Sequence, residues 1–465
     1  MEQLNKKKHF NMPHTFVIIG IILLICVILC FIIPSGEFDR VIDENGRSVV
    51  VAGTYHEAEG TKPTLLSVFM AIFNGMGDAS DIIFFIFFSY GLVYVTLETG
   101  ALDAGIGTLL RIMKNKTSLL VPFFMLLFGV LGSTIGLYEE TYGLLPVFMG
   151  LFIALGYDPL VGAAVVWIGT VSGFAAGTTN PFSVGIAQGI AGIPMYSGLG
   201  YRIVLFVVFM IATITYVVIY ARRVKQNPRL SPVYDVDFSH LSTKESSELE
   251  QMKFTGRQKL VLIAFLCVIG IVVFGTLKYK WYLAEIGAVF IIGMIVVGLI
   301  GGFTLSNIME KFVKSVGIMA GGALVVGVSR SILLVMQDAM IIDSIVYYLS
   351  NSLEGANTYI AAVGMVFVQN IIDFFIPSSS AQAATTMPIM VPLGELLGLS
   401  PQISVLALQL GAGFSDLFWP TAVATSCGVM RVPLNKWYKF VGKLFIIHLT
   451  LQAVAMIVAV AINYA

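Results

Sequence analysis

The chain has 465 residues, of which 57% are hydrophobic and 12% charged, and its 27 Lys and Arg balance its 27 Asp and Glu. This is more apolar sequence than a water-soluble core can use, so we predict a polytopic membrane protein in a lipid bilayer. Zero net charge gives no electrostatic reason to bind nucleic acid. The four cysteines lack C-x-x-C spacing and predict neither a disulfide framework nor a metal site.

The charge pattern of the first half predicts how the chain enters the membrane. The opening helix, from about His14 to Ile33, has a basic flank and no small-residue cleavage site after it. We expect it to be retained, with the N-terminus cytoplasmic. The loop 34–62 is rich in Asp and Glu and is expected outside. Residues 82–102 then return to a basic cluster containing Lys114 and Lys116, which marks the inner side.

Residues 119–155 are predicted to form a re-entrant helical hairpin. Two half-length apolar runs flank the polar tip GLYEETYG, and neither is long enough to cross a bilayer comfortably. Residues 159–193 follow as a helix that the motif GTTNP is predicted to break near its middle. These elements complete a first half, 1–220, which a polar segment at 221–256 joins to the second as a cytoplasmic linker.

The second half, 257–465, is predicted to begin with two crossings. Lys311 and Lys314 are then expected on a short amphipathic piece at the inner surface. Residues 318–340 are expected to cross outward after it. A second re-entrant hairpin, entered from outside, is predicted at 358–397.

The second hairpin is predicted from polar residues inside an apolar stretch. Asp373 and the serines 378–380 flank Pro377, which is expected to stop one helix while the serines offer an N-cap for the next. Charge at membrane depth is tolerated only where it is buried in protein or lines a cavity, so the tip is predicted to be a binding site. The alternative is a wet loop at the membrane surface.

A broken helix at 402–430 and a last helix from about Phe440 to Ile462 complete the chain. The C-terminus is then expected outside, and every basic cluster lies on the inner side. We therefore expect a multi-pass protein of the cell (inner) membrane.

The two halves align as an internal repeat. Pro146, Pro159 and Gly169 in the first half match Pro388, Pro401 and Gly411 in the second, and Glu98 and Asp103 match Asp338 and Asp343. One extra crossing, 281–300, reverses the orientation of the second copy. This predicts an all-α, inverted-repeat fold of the ion-transporter type, in which substrate sits between discontinuous helices.

Polar residues from the two tips and the two breaks are predicted to converge at this site. The candidates for substrate or ion binding are Glu139, Glu140, Thr141, Thr178, Thr179, Asn180, Asn370, Asp373, Ser378, Ser379, Ser380, Asp416 and Thr421. Ser, Thr and Asn also hold membrane helices together, which is the alternative role for several of them. Helix N-termini and hydroxyls suit carboxylates, whereas acidic side chains suit cations, so one amino acid could satisfy both.

The charge distribution narrows the substrate class. Residues 117–201 and 331–430 contain no Lys, Arg or His, yet they hold the acids named above. An isolated buried carboxylate takes up a proton or needs a cation. We therefore expect a cationic substrate, protons, or a coupling Na⁺ near Thr178, Asn180 and Ser379, and no cofactor. Binding of a dicarboxylate would normally require a basic residue, and only Arg330 is available. The expected role of Arg330, however, is to form a structural ion pair.

The motifs FNMPHTF, FIIPSGEF, GLYEETYG, GTTNPFS and FFIPSSSAQAATTMP resemble the YfcC-type family, often labelled C4-dicarboxylate anaerobic carrier, which includes streptococcal arginine/ornithine exchangers. The resemblance covers essentially the whole chain and implies the ion transporter superfamily, whose citrate and dicarboxylate carriers are dimers that move a transport domain like an elevator. The matching positions are Glu139, Glu140 and Thr141 in the first tip, Thr178, Thr179 and Asn180 in the first break, and Ser378, Ser379 and Ser380 in the second tip. The carboxylate carriers tend to have Ser-Asn-Thr where this chain has two glutamates.

The sequence thus predicts a secondary active transporter of amino acids, with arginine/ornithine-type exchange as the leading hypothesis. A Na⁺- or H⁺-coupled carrier of C4-dicarboxylates or other organic anions is the alternative. An intramembrane enzyme is disfavoured because no His pair, HExxH or G-x-S-x-G motif lies at membrane depth. A channel would not need two opposed hairpins.

Overall fold

The computed structural model describes residues 15–42, 48–113, 119–239, 241, 251–252, 254–279 and 281–465. Lys114, Lys116 and most of the predicted linker beyond residue 241 lie outside these ranges. Within them the α-helices are α1 Thr15–Ile32, α2 Leu65–Asp78, α3 Ser80–Glu98, α4 Ala101–Met113, α5 Leu120–Ile135, α6 Leu145–Ala154, α7 Pro159–Ala175, α8 Ile186–Ile190, α9 Leu199–Gln226, α10 Gly256–Tyr279, α11 Leu283–Gly301, α12 Leu305–Asp338, α13 Ile342–Asn351, α14 Thr358–Phe375, α15 Ser379–Leu396, α16 Pro401–Ser415, α17 Pro420–Met430 and α18 Leu434–Ala461.

Seven of the described helices are long and apolar enough to cross a membrane. They are α1, α3, α9, α11, α12, α14 and α18. Shorter apolar helices, among them α5 and α7, fill the space between them. The predicted all-α polytopic fold is confirmed.

Both predicted hairpins and both interrupted helices are present. In the first hairpin, α5 and α6 flank a 3₁₀ turn at Glu139–Leu144, and the Phe148 ring packs against Phe124 and Phe128 with centroids 5.0 and 5.3 Å apart. The second hairpin is α14 and α15. The first interrupted helix is α7 and α8 with a break at 176–180, and the second is α16 and α17 with a break at 416–419.

The two hairpins enter from opposite ends of the long helix α9. With 28 residues, α9 is about 42 Å long at 1.5 Å per residue. Near its C-terminus, Lys225 Nζ donates to Leu155 O at 3.1 Å, beside the open end of the first hairpin. Just before the N-terminus of α9, Gly198 O accepts from Tyr464 OH at 3.0 Å. The Tyr464 carbonyl in turn accepts from the Ser400 hydroxyl, which lies beside the open end of the second hairpin. The repeats are therefore inverted.

The residues matched between the two repeats occupy equivalent positions at the ends and starts of corresponding helices. Glu98 and Asp338 end α3 and α12, Asp103 and Asp343 lie in the first turns of α4 and α13, and Pro159 and Pro401 begin α7 and α16. The glycine anchors also pack alike. A Cβ at Gly169 would lie 3.1 Å from Met125 O of α5, and one at Gly411 would lie 2.8 Å from Val366 O of α14.

Two features differ from the sequence-based expectation. The predicted short piece and separate crossing at 318–340 form one 34-residue helix, α12, because the stretch contains no proline and Lys311 Nζ pairs sideways with Glu98 Oε2 at 2.6 Å. The predicted linker starts later than expected, because α9 continues to Gln226.

The loop between α1 and α2 contains two short antiparallel pairs that the sequence pattern did not predict. The strands are β1 Gly36–Glu37 with β4 His56–Glu57, and β2 Arg40–Ile42 with β3 Ser48–Val50. Arg40 Nη2 pairs with Asp343 Oδ1 at 2.7 Å, which fastens this loop to α13.

Close helix packing in the first repeat gives a stability prediction. A Cβ at Gly173 of α7 would lie 2.0 Å from the carbonyl oxygen of Gly129 in α5. Gly173→Ala should therefore force the helices apart and destabilise the protein by about 1–3 kcal/mol. Thermal unfolding of the detergent-purified protein measures this. Gly270→Ala is the matched control, since no atom lies within 4 Å of its Cβ; equal loss in both variants would contradict the packing argument.

Candidate functional site

The tips of both hairpins line the same pair of adjoining cavities. The larger cavity has a volume of about 320 Å³, and its lining includes Tyr138 and Glu139 of the first tip, Pro377 and Ser378 of the second, and Asp416 of the second break. The smaller, of about 150 Å³, shares all five and adds more of both tips, namely Glu140, Ser379 and Ser380. The inverted repeats therefore build one site between them.

The first tip presents two oriented carboxylates. Gly136 ends α5 with a φ of 72°, and a Cβ there would lie 2.8 Å from Asn180 Oδ1, so the sharp turn requires glycine. Tyr138 N donates to Glu140 Oε2 at 3.0 Å. Tyr282 OH, from the start of α11, donates to Glu139 Oε2 at 2.7 Å. Both glutamates are partly buried and retain acceptor capacity toward the cavity.

The second tip presents an uncapped helix N-terminus. Ser378 occupies the N-cap position of α15, but its side chain accepts no bond from a backbone N–H of the helix. Its Oγ is hydrogen-bonded to Ser380 Oγ at 3.3 Å. Trp419 likewise precedes α17 without a side-chain cap, and Thr421 of that helix lines the larger cavity. First-turn N–H groups carry partial positive charge, so both helix starts can receive an anionic group.

The remaining acidic residues of this region differ in their position. Asp373 lines neither cavity: it is 1% exposed, accepts from Ser415 Oγ at 2.8 Å and has no partner for its second oxygen among the described residues, so its predicted contact with substrate or ion stays a prediction. Asp78 and Asp81, from the junction of α2 and α3, line the larger cavity. Arg330 is the one basic side chain among its described lining residues, and its guanidinium pairs with Asp78.

Several predicted site residues hold the breaks together instead of lining the cavities. Thr178 N and Thr179 N donate to Ser133 O at 2.9 and 3.2 Å, and Asn180 Oδ1 accepts from Phe182 N at 2.9 Å. Two further predicted residues also bond to protein groups. Thr141 Oγ1 donates to Tyr138 O, and Asn370 Nδ2 donates to Val366 O and Gln452 Oε1. Their predicted contact with substrate or ion stays a prediction.

The first break is secured by a side chain from the other repeat. Gln409 Nε2 of α16 donates to Ala175 O at 3.1 Å and to Gly177 O at 2.6 Å, while Ser133 Oγ donates to the intervening Ala176 O at 3.3 Å. The guanidinium of Arg202, 1% exposed, donates to the Gln409 side-chain oxygen. All three carbonyls at the end of α7 therefore have protein donors.

Sequence reasoning missed five residues of this region. Tyr138, Tyr282, Asp78 and Asp81 line the cavities, and Arg202, in the first turn of α9, has a buried side chain. Two of them left a signal, since Asp78 and Asp81 interrupt an apolar run within four residues. The role of the Tyr282 hydroxyl has no signal in the sequence, because its partner Glu139 lies 143 positions away.

A family model described as C4-dicarboxylate anaerobic carrier (DcuC) matches residues 12–461 of the chain. The Escherichia coli K12 protein YfcC, whose name provisionally assigns it as a basic amino acid antiporter, is 32% identical over 497 residues, covering 98% of each chain. An uncharacterized protein from Haemophilus influenzae Rd is 28% identical over 506 residues, covering 99% of each chain.

Two solved structures are distantly similar. The Alcanivorax borkumensis YdaH transporter is 14% identical, with 97% of this chain and 99% of that chain covered and a TM-score of 0.42. Neisseria gonorrhoeae MtrF, described with a class of antimetabolite efflux pumps, is 17% identical, with 97% and 95% covered and the same TM-score of 0.42.

The hydrogen bonds from Gln409 to the carbonyls of the first break give a second stability prediction. Gln409→Leu removes the donor to two buried carbonyls, at a cost of about 2–4 kcal/mol in stability. Thermal or denaturant unfolding in detergent measures the loss. Gln337→Leu, at an exposed position of α12, is the matched control. If both variants unfold at the same midpoint, the proposed role of Gln409 is wrong.

Proposed function

The chain belongs to the C4-dicarboxylate anaerobic carrier family and is a membrane transporter; we propose that it is a secondary active transporter that exchanges cationic amino acids of the arginine and ornithine type. The observation that carries this proposal is the excess of carboxylates around the cavities between the hairpin tips. Glu139, Glu140 and Asp416 line them without a basic partner among the described residues.

The electrostatics favour a substrate that brings positive charge. The one guanidinium in the lining, that of Arg330, is already paired with Asp78. Placing several carboxylates together in a partly desolvated space is unfavourable unless a cation or protons compensate them. An arginine or ornithine side chain would supply that compensation beside Glu139 and Glu140.

The same cavities hold groups suited to the backbone end of an amino acid. The uncapped start of α15 at Ser379 and the start of α17 at Thr421 both face the cavities and suit a carboxylate. The acids suit an α-ammonium group. A zwitterion with a cationic side chain therefore matches both kinds of group at once.

A carrier of C4-dicarboxylates or other organic anions, coupled to Na⁺ or H⁺, is the second candidate. Arg330 and the three serines of the second tip favour it, as does the description of the family model. For this candidate Arg330 would have to leave Asp78 or bind the anion beside it. The two candidates differ in the sign of the substrate charge.

The proposal extends to coupling and movement. A Na⁺ ion near Thr178 and Asn180 would have to share the carbonyls of the first break with protein donors that they already accept from, so we propose that exchange does not depend on Na⁺ there. The hairpins and interrupted helices are proposed to move together in an elevator-like manner, within a homodimer in the inner membrane. No enzymatic reaction is part of the proposal.

Counterflow into proteoliposomes tests the class of transporter. Vesicles loaded with unlabelled ornithine should accelerate uptake of labelled arginine several-fold over empty vesicles, with or without a Na⁺ gradient, because a carrier returns loaded faster than empty. Succinate inside should not accelerate arginine uptake. Equal uptake into loaded and empty vesicles would point to a pore, and acceleration of labelled succinate by internal succinate would favour the second candidate.

Charge removal at the first tip tests the substrate. Glu139→Gln keeps the acceptor for Tyr282 and removes only the charge, so arginine uptake should fall at least about tenfold while uptake of a neutral amino acid changes far less. Glu140→Gln should behave alike. The control is Glu354→Gln at an exposed position. Equal loss for charged and neutral substrates would refute the charge argument, and unaffected succinate transport would support the anion carrier.

A further inference from the structure

A separate cavity, unrelated to the hairpin tips, lies between the C-terminal turns of α9 and the N-terminal turns of α18. Its volume is about 440 Å³. The Phe440 backbone and ring form part of its wall: Tyr216 OH donates to Phe440 O at 2.5 Å, and the Tyr220 and Phe440 rings have centroids 4.5 Å apart. The turn at 228–232 closes one side through Leu230 and Pro232. We call this cavity the α9–α18 groove.

Three basic side chains line the groove without a carboxylate partner. Arg223, Lys439 and Lys443 are exposed, and none of them forms an ion pair within the described part of the chain. The nearby acids are engaged elsewhere. Asp235 accepts from Lys436 at 2.6 and 2.8 Å, and Asp158 accepts from Ser231 at 2.6 Å and from Tyr220.

The groove is open toward the surface that would face lipid. Both helices are apolar enough to cross the membrane. Ile219 in the groove is 44% exposed, and Ile446, one turn beyond Lys443, is 65% exposed. Each helix of 28 residues exceeds a hydrocarbon core of about 30 Å by roughly four residues at either end. Arg223 lies within the last four residues of α9. Lys439 and Lys443 are the sixth and tenth residues of α18, and their long side chains can extend toward the headgroups while the stems stay among apolar residues.

We propose that the α9–α18 groove is a binding site for an anionic phospholipid. The headgroup phosphate binds Arg223, Lys439 and Lys443, and the acyl chains lie along Ile219 and Ile446. A free phosphate or a soluble anion would use the three charges equally well but would gain nothing from the apolar flank. The combination of charge at headgroup level with exposed apolar residues beside it selects the lipid.

Native mass spectrometry of the detergent-purified protein, with added phosphatidylglycerol, measures the binding. The double variant Lys439→Gln/Lys443→Gln should lose about 25-fold in affinity, since each basic residue contributes about a fivefold factor. Lys259→Gln/Lys278→Gln is the matched control. It removes the same charge from exposed positions at the two ends of α10 and should bind as the wild type does.

Competition distinguishes the source of the phosphate. Phosphatidylcholine and inorganic phosphate at the same concentration should not displace phosphatidylglycerol. Equal binding by the double variant and the wild type, or displacement by inorganic phosphate, would overturn the proposal. The thermal midpoint of each variant in neutral detergent checks folding. If the double variant unfolds, Arg223→Gln alone should still lower the affinity about fivefold.

Discussion

Polar groups at membrane depth must be paired inside the protein or must line a water-filled cavity, and this constraint organises the whole structure. At the first break, side chains from other helices donate to the carbonyls of Ala175, Ala176 and Gly177. At the second break, Trp437 Nε1 donates to Leu417 O at 2.9 Å. The polar residues of the two tips face the adjoining cavities, together with Asp78, Asp81 and Asp416.

Inversion of the repeats explains which residues line the cavities between the hairpin tips. The two hairpins approach from opposite ends of α9, so each contributes its tip rather than its base to the cavities. One tip brings carboxylates, at Glu139 and Glu140, and the other brings serines and an uncapped helix start. The lining therefore combines acidic side chains with helix N-termini, and this combination is the basis of the proposed amino acid substrate.

Much of this organisation could be predicted from the sequence, because it depends on local patterns. Half-length apolar runs around GLYEETYG marked the first hairpin, and the GTTNP motif located the first break. The matched spacing of Pro159 and Pro401 indicated the repeat. These signals depend on length, proline geometry and composition, which a sequence displays directly.

What could not be predicted depends on long-range partners. Thr178 N donates to Ser133 Oγ of α5, and Asn180 Nδ2 donates to Gly132 O of the same helix, 45 and 48 positions away. The buried guanidinium of Arg202 is stabilised by Gln409, 207 positions away. The short strand pairs in the loop 33–64 also carry no periodic signal, since each strand has two or three residues.

Both tips line one site, which we propose is reached alternately from the two sides of the membrane. The most direct test is labelling of an introduced cysteine, Ser380→Cys, in a protein whose exposed Cys267 is replaced by serine and whose three other cysteines are buried. A membrane-impermeant maleimide should react with Ser380→Cys from either side of oriented vesicles, and arginine should slow both reactions. Reaction from one side only, at a rate that arginine does not change, would contradict the claim.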